Sequence, residues 1–419
     1  MPASLSADAT RDLFAPLSAA NRAFMDAYPG ESGARQPVHT LYWPADEFRA
    51  DSVQRMGAAA LRFLEDYFPN AVTFGGHLSQ GRLAEAVYDR TVQKLKREPV
   101  EDFRLDFEDG YGTRPDAEED GHAVSAAEEV AAGAAAGTLS PFIGIRLKPF
   151  NEDWRVRSVR TLDLFVTTLV TKLGGKLPPG FVVTLPKAQI AEQVATLARV
   201  LDQLERALGL PRRALRLEFM AETPQAVIDH AGVVPIPAFV RAAEGRCTGV
   251  HFGTYDYTAA CGVTAAYQSM THPVCDFAKQ VMKVSLTGTG VPISDGSTNI
   301  LPVPKHQGAP ETLTAEQTRD NRRVIETSSR LHYDHVRYSL KNAFYQGWDL
   351  HPAQLPTRYG AVYAFYLEGL DAATARLRSF VSRATHASLA GDVLDDAATG
   401  QALLNDFLRG MSCGALTET

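Results

Sequence analysis

Short β-rich runs in this chain end in ionisable residues, where a buried strand would ordinarily carry apolar side chains. Glu108 and Asp109 close FRLDFED (103–109), Arg146 and Lys148 close FIGIRLK (142–148), and Lys187 closes FVVTLPK (181–187). Glu222 ends LRLEFMAE (215–222), Asp256 ends TGVHFGTYD (248–256), Asp295 lies in GVPISDG (290–296) and His351 in GWDLHP (347–352). At any one position a loop-side salt bridge is an equally good explanation. A series of such positions calls for more, because burying many charges is costly unless they are paired or bind a ligand. Several carboxylates without a Cys/His ligand set favour a hard, oxygen-seeking ion, Mg²⁺ or Mn²⁺, over zinc. Arg146 beside such an ion could clamp a substrate carboxylate in a two-pronged contact. A cation and a metal flanking a carbonyl would stabilise an enolate, as deprotonation or retro-aldol cleavage requires.

The elements that must position these groups form an alternating series. With VHTLYWP (38–44) the runs make eight candidate strands, separated by helical stretches such as AEQVATLARVLDQLERALG (191–209), with apolar positions three and four apart. That alternation predicts βα units and a parallel sheet. The expected fold is a (β/α)8 barrel, in which every strand's carboxyl end reaches one face and the groups above converge. An open doubly wound sheet is the alternative, since periodicity does not show closure. The expected division is a helical lead-in at 1–36, a barrel at 37–357 and a helical extension at 358–419. A ninth apolar run, AVTFGG (71–76), lies in the first crossover and suggests an edge insertion, and 314–345 reads as one long helix.

Composition narrows the classes. Across 419 residues, 45% are hydrophobic and 22% charged, with a formal charge of −7, which gives no reason to expect nucleic acid. No apolar run approaches the roughly 18 residues a membrane helix needs, and the start lacks the pattern of a secretory signal. The four cysteines show no CxxC pair and read as reduced thiols, so the expected compartment is the cytoplasm.

An ordered series of motifs resembles the citrate lyase β-subunit-like group of the HpcH/HpaI aldolase family, in the phosphoenolpyruvate/pyruvate barrel superfamily. HTLYWPAD (39–46) is similar to that group's opening strand, and LDFEDGYG (105–112) to its LDLEDAV. IRLK (145–148) resembles VRVN, LPKAQIAEQV (185–194) resembles LPKVESAADV, and MAETPQAV (220–227) its IETARGV segment. FGTYDYTAACG (252–262) is similar to FGAEDLAADLG and DLHPAQL (349–355) to AIHPAQV, so the likeness runs over about 38–405. The resemblance implies that Glu222 and Asp256 bind Mg²⁺, that Arg146 holds the substrate carboxylate, and that Glu108 and Asp109 order metal-bound water. It also implies that Asp395, in VLDDAATGQALL (393–404), reaches a neighbouring subunit's site as a catalytic group, which requires a homo-oligomer, a trimer or hexamer.

The expected activity is a Mg²⁺-dependent carbon–carbon lyase or aldolase acting on a 2-oxo acid or a β-hydroxyacyl-coenzyme A such as malyl- or citramalyl-coenzyme A. DFED is also similar to malate synthases, so condensation of acetyl-coenzyme A with glyoxylate is an alternative, as is a non-catalytic metabolite-binding subunit. Lys148 stands where the group usually has Asn, so the substrate pocket is expected to differ; Lys148 and Lys187 join Arg146 as expected substrate-binding groups. Lys187 reads as electrostatic or structural in preference to a Schiff-base lysine. His351 is either the site base or a backbone-bonded structural histidine, while His39 and His251 lie within strands and read as core histidines. Arg319, Arg322, Arg323, Arg330 and Arg337 make the 314–345 helix basic, which fits a solvated face better than a phosphate site. Gly288-Thr289-Gly290 precedes a strand and lacks a third glycine, which argues against a dinucleotide loop.

Overall fold

The structure, a computed structural model, describes residues 7–308, 310–382, 388–390, 393–395 and 397–416. Eight parallel strands close into a barrel in sequence order: β1 (His39–Pro44), β2 (Asp102–Asp106), β3 (Phe142–Arg146), β4 (Phe181–Leu185), β5 (Arg216–Ala221), β6 (Cys247–Phe252), β7 (Ile293–Ser297) and β8 (Gln346–Asp349). β8 pairs with β1 through Thr40 opposite Trp348, which completes the ring and removes the open-sheet alternative.

Two residues per repeat place alternate side chains on opposite faces of each strand. One set (Phe103, Leu105, Ile143, Ile145, Leu217, Phe219, Val250 and Phe252) is buried in the main apolar core. At about 25 cal/mol per Å², each such phenylalanine contributes roughly 2–3 kcal/mol on burial. The other set is polar and meets across the barrel. Arg104 of β2 donates from Nη2 to Glu218 Oε2 of β5 at 3.0 Å, and Trp348 Nε1 of β8 donates to His251 Nδ1 of β6 at 3.1 Å. Gly144 is required here, because a Cβ at that position would overlap Arg104 Nη1 and the Val182 carbonyl oxygen.

AVTFGG is not a strand. Ala71–His77 is a helix, opened by an Asn70–Thr73 capping box, with Phe74 buried and Val72 exposed. A closed barrel offers no sheet edge for a ninth strand, and the reciprocal cap satisfies the first helical amides. The long helix is present as Ala315–Lys341, with Thr314 and Gln317 forming its capping box. Four of its arginines are in ion pairs: Arg322 with Glu326, Arg323 with Asp320 and Arg330 with Asp334 within the helix, and Arg337 with Glu368 of the next long helix.

The helix Leu355–Glu368 packs against Ala315–Lys341 and Ala84–Arg97. Beyond it come Leu370–Ser382, an antiparallel pair formed by β9 (Ser388–Ala390) and β10 (Val393–Asp395), and the helix Ala397–Ser412. Gly288 and Gly290 adopt left-handed φ of 83° and 76°, and the Gly288 carbonyl accepts a hydrogen bond from Gly30 N at 2.8 Å. The GTG segment is thus a turn on which the N-terminal segment docks. No helix among the described residues is long and apolar enough to cross a membrane.

Candidate active site

At the carboxyl-end mouth, the group expected from strand ends is extended by Asp106, the last residue of β2, which strand-end reasoning did not single out. Its Oδ1 accepts from Arg146 Nε at 2.7 Å and Oδ2 from Arg146 Nη2 at 2.6 Å. The Glu108 and Gly110 amides donate to the same carboxylate at 2.9 and 2.7 Å. One edge of the Arg146 guanidinium, Nε and Nη2, is therefore committed within the barrel, and Asp106 fixes its direction. Its Nη1 lies 3.0 Å from Glu108 Oε2, without hydrogen-bond geometry, and 3.8 Å from Asp109 Oδ2. The guanidinium carbon sits 4.9 Å from the centre of the Tyr42 ring, a cation–π distance.

Lys187, two residues past β4, has a left-handed φ of 49°. Such a backbone costs about 1 kcal/mol or more in a non-glycine residue and persists where its surroundings fix it. Here the Lys187 amide donates to Glu222 Oε1 at 2.7 Å. Its ammonium contacts Glu108, the Asp109 carboxylate at 3.1 and 3.2 Å, and Asp256 Oδ2 at 3.3 Å. Glu222 is 1% exposed, directly behind β5. Gly253 makes room for it, since a Cβ there would overlap Glu222 Oε2 and Cβ.

Five carboxylates (Asp106, Glu108, Asp109, Glu222 and Asp256) thus face two cations, Arg146 and Lys187. Burial, with repulsion from Glu108 and Asp256, pushes the Glu222 carboxyl up to about 8. Burial also takes Glu108 up to about 7, against the pull of Arg146 and Lys187. Burial alone would lower the Lys187 ammonium, but Glu108, Glu222 and Asp109 outweigh it and raise it. The Asp109 carboxyl, lifted by burial, is brought below its usual range by Arg146 and Lys187.

These features fit a hard divalent cation: the donors are all oxygens, they carry excess negative charge, and Glu108 Oε2 is buried without a hydrogen bond. Among the described residues no three His, Cys, Asp or Glu side chains form a closed ligand cage. Mg²⁺ does not need one, since it keeps several waters and takes one or two carboxylates.

Three other expected groups are engaged elsewhere. Lys148 donates to Glu119 Oε2 and the Phe107 carbonyl, both at 2.7 Å, and stands over the Tyr111 ring. Asp295 is wholly buried, with Lys279 at 3.2 Å and Ser339 Oγ at 2.7 Å. His351 caps the short 3-10 turn Pro352–Gln354, its Nδ1 accepting from Ala353 N at 3.2 Å. A neutral ring arranged so carries its proton on Nε2 and is a donor there; burial lowers its pKa further. Asp395 ends β10, opposite Ser388.

Beneath the site lies a second polar layer. Arg104 Nη2 donates to Asp102 at 2.6 Å, Thr40 Oγ1 donates to the same carboxylate at 2.8 Å, and His251 Nε2 lies 2.9 Å from Glu218. His39 is a core histidine, 2.9 Å from Asp349 and accepting from Glu101 N at 3.1 Å. The sequence does carry a signal for Asp102, Arg104 and Asp106: DFRLDFE alternates polar and apolar residues without a break.

Among solved structures, a citrate lyase from Burkholderia xenovorans LB400 is similar at 16% identity with a TM-score of 0.57, covering 94% of this chain and 98% of that one. Protein CitE from Mycobacterium tuberculosis, in complex with magnesium, acetoacetate and coenzyme A, is similar at 16% identity and TM-score 0.48, over 91% of this chain and 99% of that one. A malate synthase from Haloferax volcanii, in a pyruvate/acetyl-CoA ternary complex, is similar at 13% identity and TM-score 0.44, over 88% and 89%. At 16% identity the likeness to the Burkholderia citrate lyase shows the fold alone. No curated protein matches the sequence. The family model described as "Domain of unknown function (DUF6986)" matches residues 17–419, and the chain belongs to that family.

Proposed function

We propose that this chain is a Mg²⁺-dependent carbon–carbon lyase or aldolase, acting on a 2-oxo acid or a β-hydroxyacyl-coenzyme A at the carboxyl-end mouth of the barrel. The observation that carries this reading is the excess of buried carboxylate around Glu222, beside a guanidinium fixed in direction by Asp106. The fold shared with a citrate lyase supports it. Glu222 and Asp256 would hold the ion, with Glu108 and Asp109 ordering its waters. The bound ion would supply Lewis acidity next to the bond that breaks.

The protein's own groups do the rest. Arg146, held by Asp106 and backed by Tyr42, orients the substrate carboxylate through its Nη1 edge. Lys187 neutralises Glu108, Asp109 and Asp256, and with a dication held among those carboxylates it would be free to face substrate. Asp395 of a neighbouring copy in a trimer or hexamer is our choice for the proton-transfer group. His351, a donor at Nε2 in its neutral form, is the other candidate.

The test is methyl-proton exchange from pyruvate and from acetyl-coenzyme A in D₂O with Mg²⁺, followed by NMR, with and without glyoxylate. Exchange that needs the metal and disappears in Glu222→Gln is expected. Exchange of acetyl-coenzyme A only with glyoxylate present would favour the condensation reading. Absence of exchange in every tube would overturn the enzyme reading in favour of a binding subunit.

A further inference from the structure

The barrel has a second mouth, at the amino ends of its strands. A cavity of about 620 Å³ opens there, and its wall includes the first residues of β2 to β8 together with Val38, just before β1. Residues 30–38 and the helix Ala397–Ser412 cover it. This end of such a barrel ordinarily serves stability, while chemistry sits at the other. A void of this size in the range typical of ligand pockets needs an explanation.

The charges on its wall supply one. Arg409 is paired with Glu31 at 2.8 Å, Arg35 with Glu98 and Glu101, and Arg104 with Asp102 and Glu218. Arg216 and Lys283 are different. The Arg216 guanidinium makes no hydrogen bond or ion pair among the described residues. The Lys283 ammonium reaches only the Ala343 carbonyl and the face of Phe344, 4.4 Å from its ring centre. Burial, then the neighbouring Arg409, lowers the Lys283 ammonium to about 8, against a weaker pull from Glu31 and Asp295. Deeper in, Arg104 is fully buried, and its Nε and Nη1 have no hydrogen-bond partner. Apolar side chains, among them Phe181, Val182, Leu286 and Tyr345, make up much of the remaining wall.

We propose that this amino-end cavity is a binding site for an organic anion with an apolar body, its acid group attracted by the cations Arg216 and Lys283 on the wall and its body lying along the apolar wall. The site is separate from the carboxyl-end mouth and does not depend on the activity proposed there. Its ligand class follows from the lining: unmatched positive charge asks for a carboxylate or sulfonate, and the apolar wall asks for a hydrocarbon or aryl body.

The probe is 8-anilinonaphthalene-1-sulfonate, titrated into the full-length folded protein and followed by fluorescence. Saturable single-site binding is expected, displaced by octanoate but not by octanol. Affinity should fall at least tenfold in Arg216→Gln/Lys283→Gln and stay unchanged in Glu222→Gln, which alters only the opposite mouth. Ala214→Trp, placing an indole in the cavity two residues from Arg216, should weaken binding with both cations intact. Circular dichroism confirms that each variant is folded. Undiminished binding in the double substitution or in Ala214→Trp, displacement by octanol equal to that by octanoate, or no saturable binding would each overturn the proposal.

Discussion

Replacing Asp106 by Asn tests whether this carboxylate anchors the site. Its two oxygens receive four donors: Arg146 Nε and the Glu108 amide on Oδ1, Arg146 Nη2 and the Gly110 amide on Oδ2. Asparagine keeps one acceptor oxygen and turns the other into a donor. Either orientation strands one guanidinium hydrogen and one backbone amide, at 1% exposure. Each lost bond to a charged group is worth about 1.5–3 kcal/mol, and each stranded buried amide about 1–3 kcal/mol. Arg146 keeps Glu108 as a partial counter-ion at 3.0 Å, so the total should lie in the ~3–5 kcal/mol range of a broken buried pair. With a urea m-value of at least ~3 kcal/mol/M for a chain of this size, the unfolding midpoint falls by about 1 M. The assay is urea unfolding by circular dichroism, extended to Arg146→Met and the double variant. The double variant should lose less than the two singles combined, since it leaves no lone buried guanidinium. A midpoint within ~0.2 M of the parent for Asp106→Asn, or strict additivity in the cycle, would refute the anchoring argument.

Other expectations follow from the same geometry. Mg²⁺ at a hundred times its Kd should stabilise the protein by ~2.7 kcal/mol, read as a rise in melting temperature that Glu222→Gln loses. Gly253→Ala should weaken that Mg²⁺ effect while leaving circular dichroism unchanged, because the new Cβ meets the Glu222 side chain and the backbone φ of −100° suits any residue. An undiminished Mg²⁺ response in Gly253→Ala would argue that Glu222 lies outside the ion's reach. Acid should destabilise the fold through His335, which burial, then His332, hold down to about 4 while Thr298, Asp295, Lys279 and Asp334 surround it. A depressed folded pKa means its stabilisation is present above ~6.5 and is lost as pH falls toward 4, ~3 kcal/mol at most. His335→Gln should flatten urea midpoints between pH 6.5 and 4, and an equally steep fall in the variant would discount this residue.

The sequence by itself determined the strand series, because apolar alternation and turn residues are local properties. It also marked the ionisable strand ends, and the order of motifs predicted the barrel that carries them. The helix Ala315–Lys341 was legible as one long helix over 314–345, and its Thr314–Gln317 cap became visible in the structure. Alternation in DFRLDFE contained the inward set, but a reading confined to strand ends passed over Asp106 and Arg104. Closure decided what local pattern could not. Once β8 pairs with β1 there is no edge for AVTFGG, and a segment with a good amide cap becomes helix.

Closure and packing also sorted chemically similar strand-end groups. Lys187 turns into the carboxylate cluster because a left-handed backbone aims it there, while Lys148 finds Glu119 and Asp295 finds Lys279 and Ser339 on the surrounding helices. Which partner a buried charge takes depends on distances between residues far apart in the chain, and those are set only when the barrel closes. The amino-end cavity is of the same kind: its wall gathers residues from every part of the sequence, with no motif to announce it.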